Sequence, residues 1–390
     1  MSRDWLIAAG VAATTLGIIG ITWWGAPARH VDHVVAAEPA VAVSVARGEP
    51  PAGVREAWVS DDAGLAAPSR GSSTVLLSDV DGVRGVHPYT GETVWSYHRD
   101  IDLCAAMQSE NRSVVVFDGP AGCGEVASLN SSDGSYYATR RSIGPAEVAP
   151  LSSAQRSGVW SHQRAELWRG DLVRTVEFGE NPAPQEANFQ PWPECTIGDA
   201  LTREYTLAVV ANCPDGATRV GVQTTEPEDS RKPEMDGEFS VTGPARLVAV
   251  AKDAVAVYHD GVVSVHRPNG LRIGGFDIRA ADVQPGPSRR ADQVATQGHT
   301  LWFTGSELVG LRQPDLQEQL RTPAIGTGDV WDEQVLVPVA GGIAVVNWDG
   351  TVERTIAVPR PAETTRVDLR VVGSAIIEWR DGSVVGLVGL

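Results

Sequence analysis

The stretch Val83–Tyr97, VRGVHPYTGETVWSY, holds two short apolar runs on either side of a turn at Thr90-Gly91. Apolar and polar residues alternate within both runs, as they do in half-buried β-strands. Glycine between two such runs is typical of a hairpin, because it accepts the positive φ that tight turns need. The stretch therefore predicts a β-hairpin.

Similar hairpins recur along the chain, with turns such as Asp133-Gly134 and Asn269-Gly270. The turns at Thr90 and Asp133 lie 43 residues apart, and the next turn lies 136 residues beyond Asp133. This spacing fits one step and then three steps of about 45 residues, which is the period of four-stranded propeller blades. The further units are Glu125–Thr139, Gly261–Phe276, Glu307–Arg321, Gly342–Ile356 and Ile376–Val388.

Two weaker units, Glu166–Phe178 and Thr218–Thr225, complete the series. With these two weak units included, the series predicts an all-β fold, a β-propeller of about seven blades, with six and eight left open. Glu56–Val59 is predicted to close the ring by adding a strand to the last blade, because this leaves no long unpaired edge. Six short apolar segments are predicted as further blade strands: Thr74–Leu77, Ser113–Phe117, Thr206–Val210, Ala254–Tyr258, Thr300–Phe303 and Gln334–Pro338.

The N-terminal stretch Trp5–Gly25, WLIAAGVAATTLGIIGITWWG, carries no charged residue. As a helix it would be about 31 Å long, which is enough to span a bilayer. Trp23 and Trp24 at its end are typical of a membrane interface. The stretch predicts an uncleaved transmembrane anchor. A cleaved signal peptide is the alternative, since Ala26-Pro27-Ala28 offers small residues near a suitable cleavage position.

These features predict three segments. Residues 1–25 form the N-terminal transmembrane anchor. Residues 26–57 are rich in Ala, Val, Pro and Glu without an amphipathic period, which predicts a flexible tether. Residues 58–390 form the propeller domain.

Four cysteines fall into two local pairs, Cys104 with Cys123 and Cys195 with Cys213. The similar spacing of the two pairs predicts two disulfides, each bridging neighbouring strands, in an oxidising compartment. A zinc site built from all four thiolates is the alternative, but neither pair has the C-x-x-C spacing. The disulfides place the propeller outside the cytoplasm, in a periplasm-like space, while the helix holds it at the cytoplasmic membrane.

The chain has 49 acidic and 32 basic side chains, a net charge of -17, which disfavours nucleic acid as a partner. No metal-binding histidine motif and no nucleophile elbow occur, so no catalytic or metal site is predicted. Asp79-Val80-Asp81-Gly82 begins like a calcium loop, but Thr90 stands at the twelfth position, where such loops have glutamate. It is predicted to be a hairpin turn. The acidic run at 226–238 is predicted to be a solvated loop, with a docking surface as the alternative.

A proline-flanked aromatic insertion, Asn188–Pro193, cannot be a central strand. Phe189 and Trp192 in it, with Trp160 and Trp168 nearby in sequence, are the predicted ligand-binding residues, since an aromatic loop at a propeller rim can hold an acyl chain or a sugar face. The alternative is a loop that packs over its blade and is pinned by Cys195. Four other tryptophans are predicted to be blade core: Trp95, Trp302, Trp348 and Trp379.

The unit Val83–Tyr97 resembles the repeat of quinoprotein-like (PQQ-type) propellers, in which a D-x-x-T-G-type turn leads into a strand carrying tryptophan. Thr90, Gly91 and Trp95 match that repeat, while His87 stands in place of the usual aspartate. The match is partial in the other units. No adjacent cysteine pair is present, so a PQQ dehydrogenase is disfavoured and no cofactor is predicted.

Together with the single anchor, the chain resembles the membrane-anchored propellers of mycolate-producing actinobacteria. The resemblance implies a non-enzymatic protein that binds trehalose monomycolate outside the membrane, beside an RND-type lipid exporter, in polar growth and cell-envelope assembly. The alternative is a protein–protein scaffold of an envelope complex without a small-molecule site.

Overall fold

The computed structural model describes residues 3–24, 30–61, 64–65, 72–109, 111–278 and 291–390. These ranges contain one helix, α1 (Arg3–Trp24), and 33 β-strands. The strands form eight antiparallel sheets, seven of four strands and one of five. The eight sheets are the blades of a β-propeller. Within a blade, strands A to D run from the central channel outwards.

The blades use the strands in chain order, except that β1 (Val31–Val34) and β2 (Val54–Ser60) join blades 1 and 8 from outside. Strands A to D of blades 1 to 4 are β3 (Gly64–Leu65), β4 (Val75–Ser78), β5 (Gly82–Val86), β6 (Thr93–Arg99); β7 (Leu103–Ser109), β8 (Arg112–Gly119), β9 (Gly122–Asn130), β10 (Tyr136–Arg141); β11 (Ala149–Ser152), β12 (Ser157–Trp160), β13 (Arg164–Trp168), β14 (Arg174–Gly179); and β15 (Thr196–Arg203), β16 (Thr206–Asn212), β17 (Thr218–Thr224), β18 (Met235–Val241). Blades 5 to 7 are β19 (Ala245–Ala251), β20 (Ala254–His259), β21 (Val262–His266), β22 (Arg272–Asp277); β23 (Gln293–Ala295), β24 (His299–Phe303), β25 (Glu307–Arg312), β26 (Gln317–Pro323); and β27 (Asp329–Trp331), β28 (Gln334–Val339), β29 (Gly342–Val346), β30 (Val352–Ala357). Blade 8 is β31 (Val367–Val372), β32 (Ala375–Arg380), β33 (Ser383–Gly389) and β2.

The prediction of about seven blades is wrong, because the described residues form eight. The eight hairpin units named in the sequence, including the two weak ones of blades 3 and 4, each fall in a different blade, so the predicted number was one too low. In blade 3, β13 and β14 are joined by Arg169–Val173, which lacks an Asp-Gly or Asn-Gly turn, and in blade 4 an acidic insertion separates β17 from β18. Each weak unit nevertheless builds a complete sheet. The six predicted apolar segments are confirmed as strand B of blades 1, 2, 4, 5, 6 and 7.

The hydrophobic core is divided among the gaps between blades. Eight clusters of buried side chains each join two adjacent blades, including blades 8 and 1. Valine, leucine, isoleucine and alanine supply most of these side chains, as suits the flat faces of stacked sheets. Each blade therefore buries its apolar side chains against its two neighbours, and ring closure gives the first and last blades the same cover as the others.

The chain closes the ring as predicted. Strand β2 pairs antiparallel with β33, with Glu56 opposite Leu387 and Trp58 opposite Gly386. The predicted closing strand Glu56–Val59 is thus confirmed as strand D of the last blade. Because the two strands come from opposite ends of the chain, their pairing ties the N-terminal part of the propeller to its C-terminal end.

Trp95 shows why the repeat places tryptophan and glycine where it does. The indole is buried, and its Nε1 donates a hydrogen bond to the Ser131 carbonyl, 2.8 Å away, in the next blade. Gly85 in the adjacent strand and Gly134 in the turn of blade 2 lie against the ring, where a Cβ would overlap it. Gly134 also has a φ of +76°. Tryptophan in strand D thus joins its blade to the turn of the next.

Trp58 repeats this arrangement at the ring closure. Its Nε1 donates to the Pro88 carbonyl at 3.0 Å, and its ring lies on Gly386 of β33 and Gly91 of blade 1. Gly91 is the glycine of the Thr90-Gly91 turn, so the motif that predicts the hairpin also receives the closing strand.

The propeller has two faces. The AB/CD face carries the turns that join strand A to B and strand C to D. The BC/DA face carries the turns that join strand B to C and the connections from one blade to the next. Residues 35–53, named here the crossing segment, run over the AB/CD face.

The crossing segment contacts several blades. The Ala36 amide donates to a carbonyl in the CD turn of blade 2 at 2.9 Å, Ala46 is buried in the cluster between blades 7 and 8, and the Gly48 amide donates to Asp332 Oδ2 at 2.8 Å. The sequence predicts a flexible tether at 26–57. In the structure, the described part of this stretch lies along the propeller, with β1 paired to β6 and residues 54–57 within β2.

Both predicted disulfides are present. Cys195–Cys213 links the ends of the neighbouring strands β15 and β16, as predicted, with a Cα–Cα distance of 4.3 Å. Cys104–Cys123 instead links β7 to β9, which lie on either side of β8. The first pair therefore does not bridge neighbouring strands. The register shift of β7 beside Cys104 lets the two cysteines meet across the end of β8.

Candidate functional site

The four predicted ligand-binding aromatic residues do not form one site. Trp160 in β12 and Trp168 in β13 are buried, with 5% and 2% of their surface exposed. Trp168 packs in the cluster between blades 2 and 3, whereas Trp160 packs in the cluster between blades 3 and 4. Both residues are core, because side chains in these strands face the neighbouring blades.

The insertion that contains the other two packs over its blade. Trp192 is half-buried and meets Phe178 edge to face, with ring centroids 5.4 Å apart. Gln190 Nε2 donates to the buried Glu177 carboxylate at 2.7 Å, which holds the insertion down. Of the four predicted aromatic residues, Phe189 is the one that is exposed, with 48% of its surface accessible. Lys232 Nζ lies 4.9 Å from its ring centroid. Ligand binding at Phe189 stays a prediction.

Blade 3 also contains a buried charged cluster that the sequence does not reveal. The carboxylate of Glu166, 4% exposed, lies within 4 Å of the guanidinium groups of Arg140, Arg164 and Arg174. Burial lowers the pKa of Arg140 and of Arg164, and Glu166 opposes that effect. The three guanidinium groups share the buried Glu166 carboxylate. Arg174 also forms an ion pair with a second buried carboxylate, that of Glu177. The cluster joins β10 to β13 and β14 and serves to fix these strands.

The predicted hairpin turn at Asp79–Gly82 is confirmed, since it joins β4 to β5 and the Asp79 amide donates to the Gly82 carbonyl. His98 Nδ1 lies 3.2 Å from Asp81 Oδ1 and 3.7 Å from Asp79 Oδ1. These three ligand-type atoms lie within 4.8 Å of one another. These atoms are of the types that coordinate divalent cations, and the contacts of His98 with the two aspartates also hold the turn against β6.

A cleft of about 840 Å³ opens on the AB/CD face between blades 6 and 7. The AB turns of both blades and the CD turn of blade 7 form its walls, and the crossing segment supplies another wall through Gly48 and Glu49. The site is therefore assembled from parts of the chain that lie far apart in sequence. The side chains that line it most prominently are Glu49, His299, Asp332, Glu333, Gln334, Asn347, Trp348 and Glu353.

The side chains in the cleft are held in defined positions. Two amides, Gln334 Nε2 at 2.6 Å and Asn347 Nδ2 at 2.9 Å, donate to the two oxygens of Glu353. Trp348 stacks on His299 with ring centroids 3.5 Å apart and planes 15° apart. Because these contacts join β28, β30 and blade 6, the carboxylate and the aromatic pair are fixed before any ligand arrives.

The cleft is strongly acidic. Glu49, Asp332, Glu333 and Glu353 line it, and no residue that lines it in the described part of the chain is Lys or Arg. Burial lowers the pKa of His299 below its ordinary value of 6.5, outweighing the hydrogen bond from His299 Nε2 to Gln319 Oε1, which raises it. The lowered pKa favours the neutral imidazole, while the Arg203 guanidinium, which donates to the carbonyls of Thr296 and His299, is a cation next to the lining. Carboxylates beside an aromatic ring suit a guanidinium or ammonium group.

Sequence reasoning missed the cleft and assigned Trp348 to the blade core. Trp95 and Trp302 are buried as predicted, but Trp348 lies in the CD turn of blade 7, half-buried on the cleft wall. The available signal was the position of Trp348 directly before the Asp349-Gly350 turn. A residue inside a turn lies at the blade end, where a side chain reaches the face of the propeller.

Comparisons with known proteins identify the fold. No protein-family model matches the chain, and no curated protein matches it. Among solved structures, BamB from Moraxella catarrhalis is 10% identical, with 86% of this chain and 99% of that chain covered and a TM-score of 0.52. Sqt1 from Saccharomyces cerevisiae is 9% identical, with 87% and 99% covered and a TM-score of 0.54. At such identities the likeness shows that the chain is a β-propeller.

Proposed function

We propose that this protein is a non-enzymatic, membrane-anchored propeller on the outer side of the cytoplasmic membrane, where it holds a basic segment of a partner protein in the cleft between blades 6 and 7. The acidic lining of the cleft carries this proposal. Four carboxylates line the cleft beside a fixed aromatic ring, and none of the described residues that line it is lysine or arginine. The net charge of -17 adds long-range attraction for a basic partner.

Two observations support the location. The helix Asp4–Trp24 is long and apolar enough to cross a membrane, and none of it is buried against the propeller. The two disulfides suit an oxidising compartment outside the cytoplasm. A cleaved signal peptide is the alternative for this helix, and the membrane-bound state of the mature protein distinguishes the two.

A protein partner fits the cleft better than a glycolipid does. An acyl chain needs an extended apolar wall, whereas seven of the thirteen residues that line the cleft carry a carboxylate or an amide and its apolar side chains are Val330 and Trp348. The predicted aromatic residues supply no such wall either, since Trp160 and Trp168 are core. Trehalose monomycolate as a ligand and an RND-type exporter as a partner therefore stay predictions that rest on the resemblance of the repeat.

Binding of a labelled penta-arginine peptide tests the cleft directly. The double variant Glu333→Gln, Glu353→Gln removes two charges, and the single amide oxygen at 353 keeps one of the two hydrogen bonds that the Glu353 carboxylate accepts from Gln334 and Asn347. Each exposed ion pair contributes about 0.5 kcal/mol, so we expect roughly five-fold weaker binding by fluorescence anisotropy. Added salt should weaken the wild-type complex further.

The matched control is Glu147→Gln with Glu363→Gln. Both residues are exposed and neither lines the cleft. The variant also removes two negative charges, so its net charge equals that of the cleft variant. Binding equal to wild type is expected. If the two double variants weaken binding to the same extent, the attraction comes from the overall charge, and the cleft is not the site.

A further inference from the structure

The point where the chain enters the propeller lies on the BC/DA face. Strand β1 is antiparallel to β6, and its first residue, Val31, lies opposite Arg99, the last residue of β6. Strand D of each blade ends at the BC/DA face, so β1 begins there. His30 fixes this position, because its Nδ1 lies 2.9 Å from Asp100 Oδ2 and its carbonyl accepts the Asp100 amide at 3.3 Å.

The distance from this point to the membrane helix is limited by chain length. Five residues separate Trp24, the last residue of α1, from His30. Six steps of extended chain span at most about 22 Å. When α1 spans the bilayer, the BC/DA end of blade 1 therefore stays within roughly 20 Å of the membrane interface.

The part of the BC/DA face around this point exposes apolar side chains. Val80 in the BC turn of blade 1 is 77% exposed, Ile143 after the last strand of blade 2 is 51% exposed, and Val59 near the end of β2 in blade 8 is 56% exposed. They belong to three consecutive blades, 8, 1 and 2. Apolar side chains at a membrane surface gain free energy by entering the headgroup boundary.

The surrounding charge limits how deep this contact goes. Asp79, Asp81 and Asp100 lie at the same edge of blade 1, beside His98 and His30. Carboxylates are costly to bury in the hydrocarbon layer. A contact at the depth of the lipid headgroups leaves these carboxylates hydrated. At that depth the exposed valine and isoleucine side chains still reach the boundary between headgroups and acyl chains.

We propose that the BC/DA edge of blades 8, 1 and 2 rests on the headgroup layer of the lipid bilayer, so that the AB/CD face and its acidic cleft point away from the membrane. The occupant of this edge is a lipid surface. The inference rests on the membrane anchor of the proposed function, but not on what the cleft binds.

The test uses the full-length protein in vesicles of phosphatidylcholine and phosphatidylglycerol. All four native cysteines are in disulfides, so a single introduced cysteine can be labelled with a fluorophore. Val80→Cys and Ile143→Cys report on the proposed edge. Leu271→Cys and Val352→Cys are matched controls, since both are exposed, at 59% and 51%, beside CD turns on the other face.

Lipids with a nitroxide on the headgroup should quench the fluorescence at positions 80 and 143 and leave positions 271 and 352 bright. Equal quenching at all four positions, or stronger quenching at 271 and 352, would overturn the proposed orientation. Protein released from the vesicles by alkaline carbonate would instead contradict the anchor itself, and the orientation with it. Penta-arginine binding remains an independent measure of the cleft.

Discussion

Asp199 and Asp329 occupy equivalent positions in strand A of blades 4 and 7. Asp199 Oδ2 accepts the Leu247 amide of blade 5 at 2.8 Å, and Asp329 Oδ2 accepts the Val371 amide of blade 8 at 2.9 Å. In both cases Oδ1 accepts the next amide along the chain, at 2.9 and 2.7 Å. One carboxylate thus fixes its own strand and joins two blades near the channel.

Burial raises the pKa of Asp199 to about 6 from its ordinary value of 3.8, and Arg246 opposes the shift. Between these two pH values the folded state binds more protons than the unfolded state, so this group destabilises the protein as pH rises from about 4 to about 6. We expect the stability of wild type relative to Asp199→Asn to fall over that range by about 1–3 kcal/mol. Urea unfolding of both proteins at several pH values measures it. Parallel pH curves for the two would contradict the assignment.

Individual residues were predictable where the repeat is regular. Trp95 follows its Thr-Gly turn at the usual distance, and it is buried as expected. The positions of Trp348 and Trp160 were not predictable, because the exposure of a tryptophan depends on which blade end or strand face it occupies. That placement is set by contacts with a neighbouring blade about 45 residues away, which a local pattern does not contain.

Among the strands and turns, the closing strand β2 matters most for stability, because it pairs with β33 and joins the two ends of the ring. Trp58→Ala removes the indole that packs on β33 and on the turn of blade 1. We expect a loss of about 3–5 kcal/mol in the free energy of unfolding, as for other buried aromatic side chains. Amide hydrogen exchange should rise in β33, because β2 opens locally.

Trp95→Ala is the matched control for this change, since Trp95 makes the same contacts between blades 1 and 2. It should destabilise the protein by a similar amount without selective exchange in β33. If Trp58→Ala leaves exchange in β33 unchanged, β2 does not close the ring in the way described.

Strands and hairpins with alternating residues and a glycine turn were predictable from the sequence, as was the closing strand. The unit of blade 4 was recognised but weak, because an acidic insertion stands where its turn should be. The course of the crossing segment was not predictable, because it has no periodic pattern. It is held by single hydrogen bonds to distant residues, such as that from Gly48 to Asp332.

At the scale of the whole molecule, one ring presents two different surfaces. The BC/DA side carries the start of β1, where the chain from α1 enters the propeller, and the AB/CD side carries the acidic cleft together with the crossing segment. The cleft was outside the reach of sequence reasoning, because its walls come from residues 48–49 and from blades 6 and 7. The net charge disfavoured nucleic acid as a partner but did not indicate any site on the propeller.

The most direct measurement is photo-crosslinking in the cells that make this protein, with a photoreactive residue at position 297, exposed on the rim of the cleft. We predict a protein adduct whose crosslinked segment is rich in lysine and arginine. It should disappear in the Glu333→Gln, Glu353→Gln variant and persist in the Glu147→Gln, Glu363→Gln variant. No protein adduct, or one that survives loss of the cleft carboxylates, would contradict the claim that this propeller holds a basic partner there.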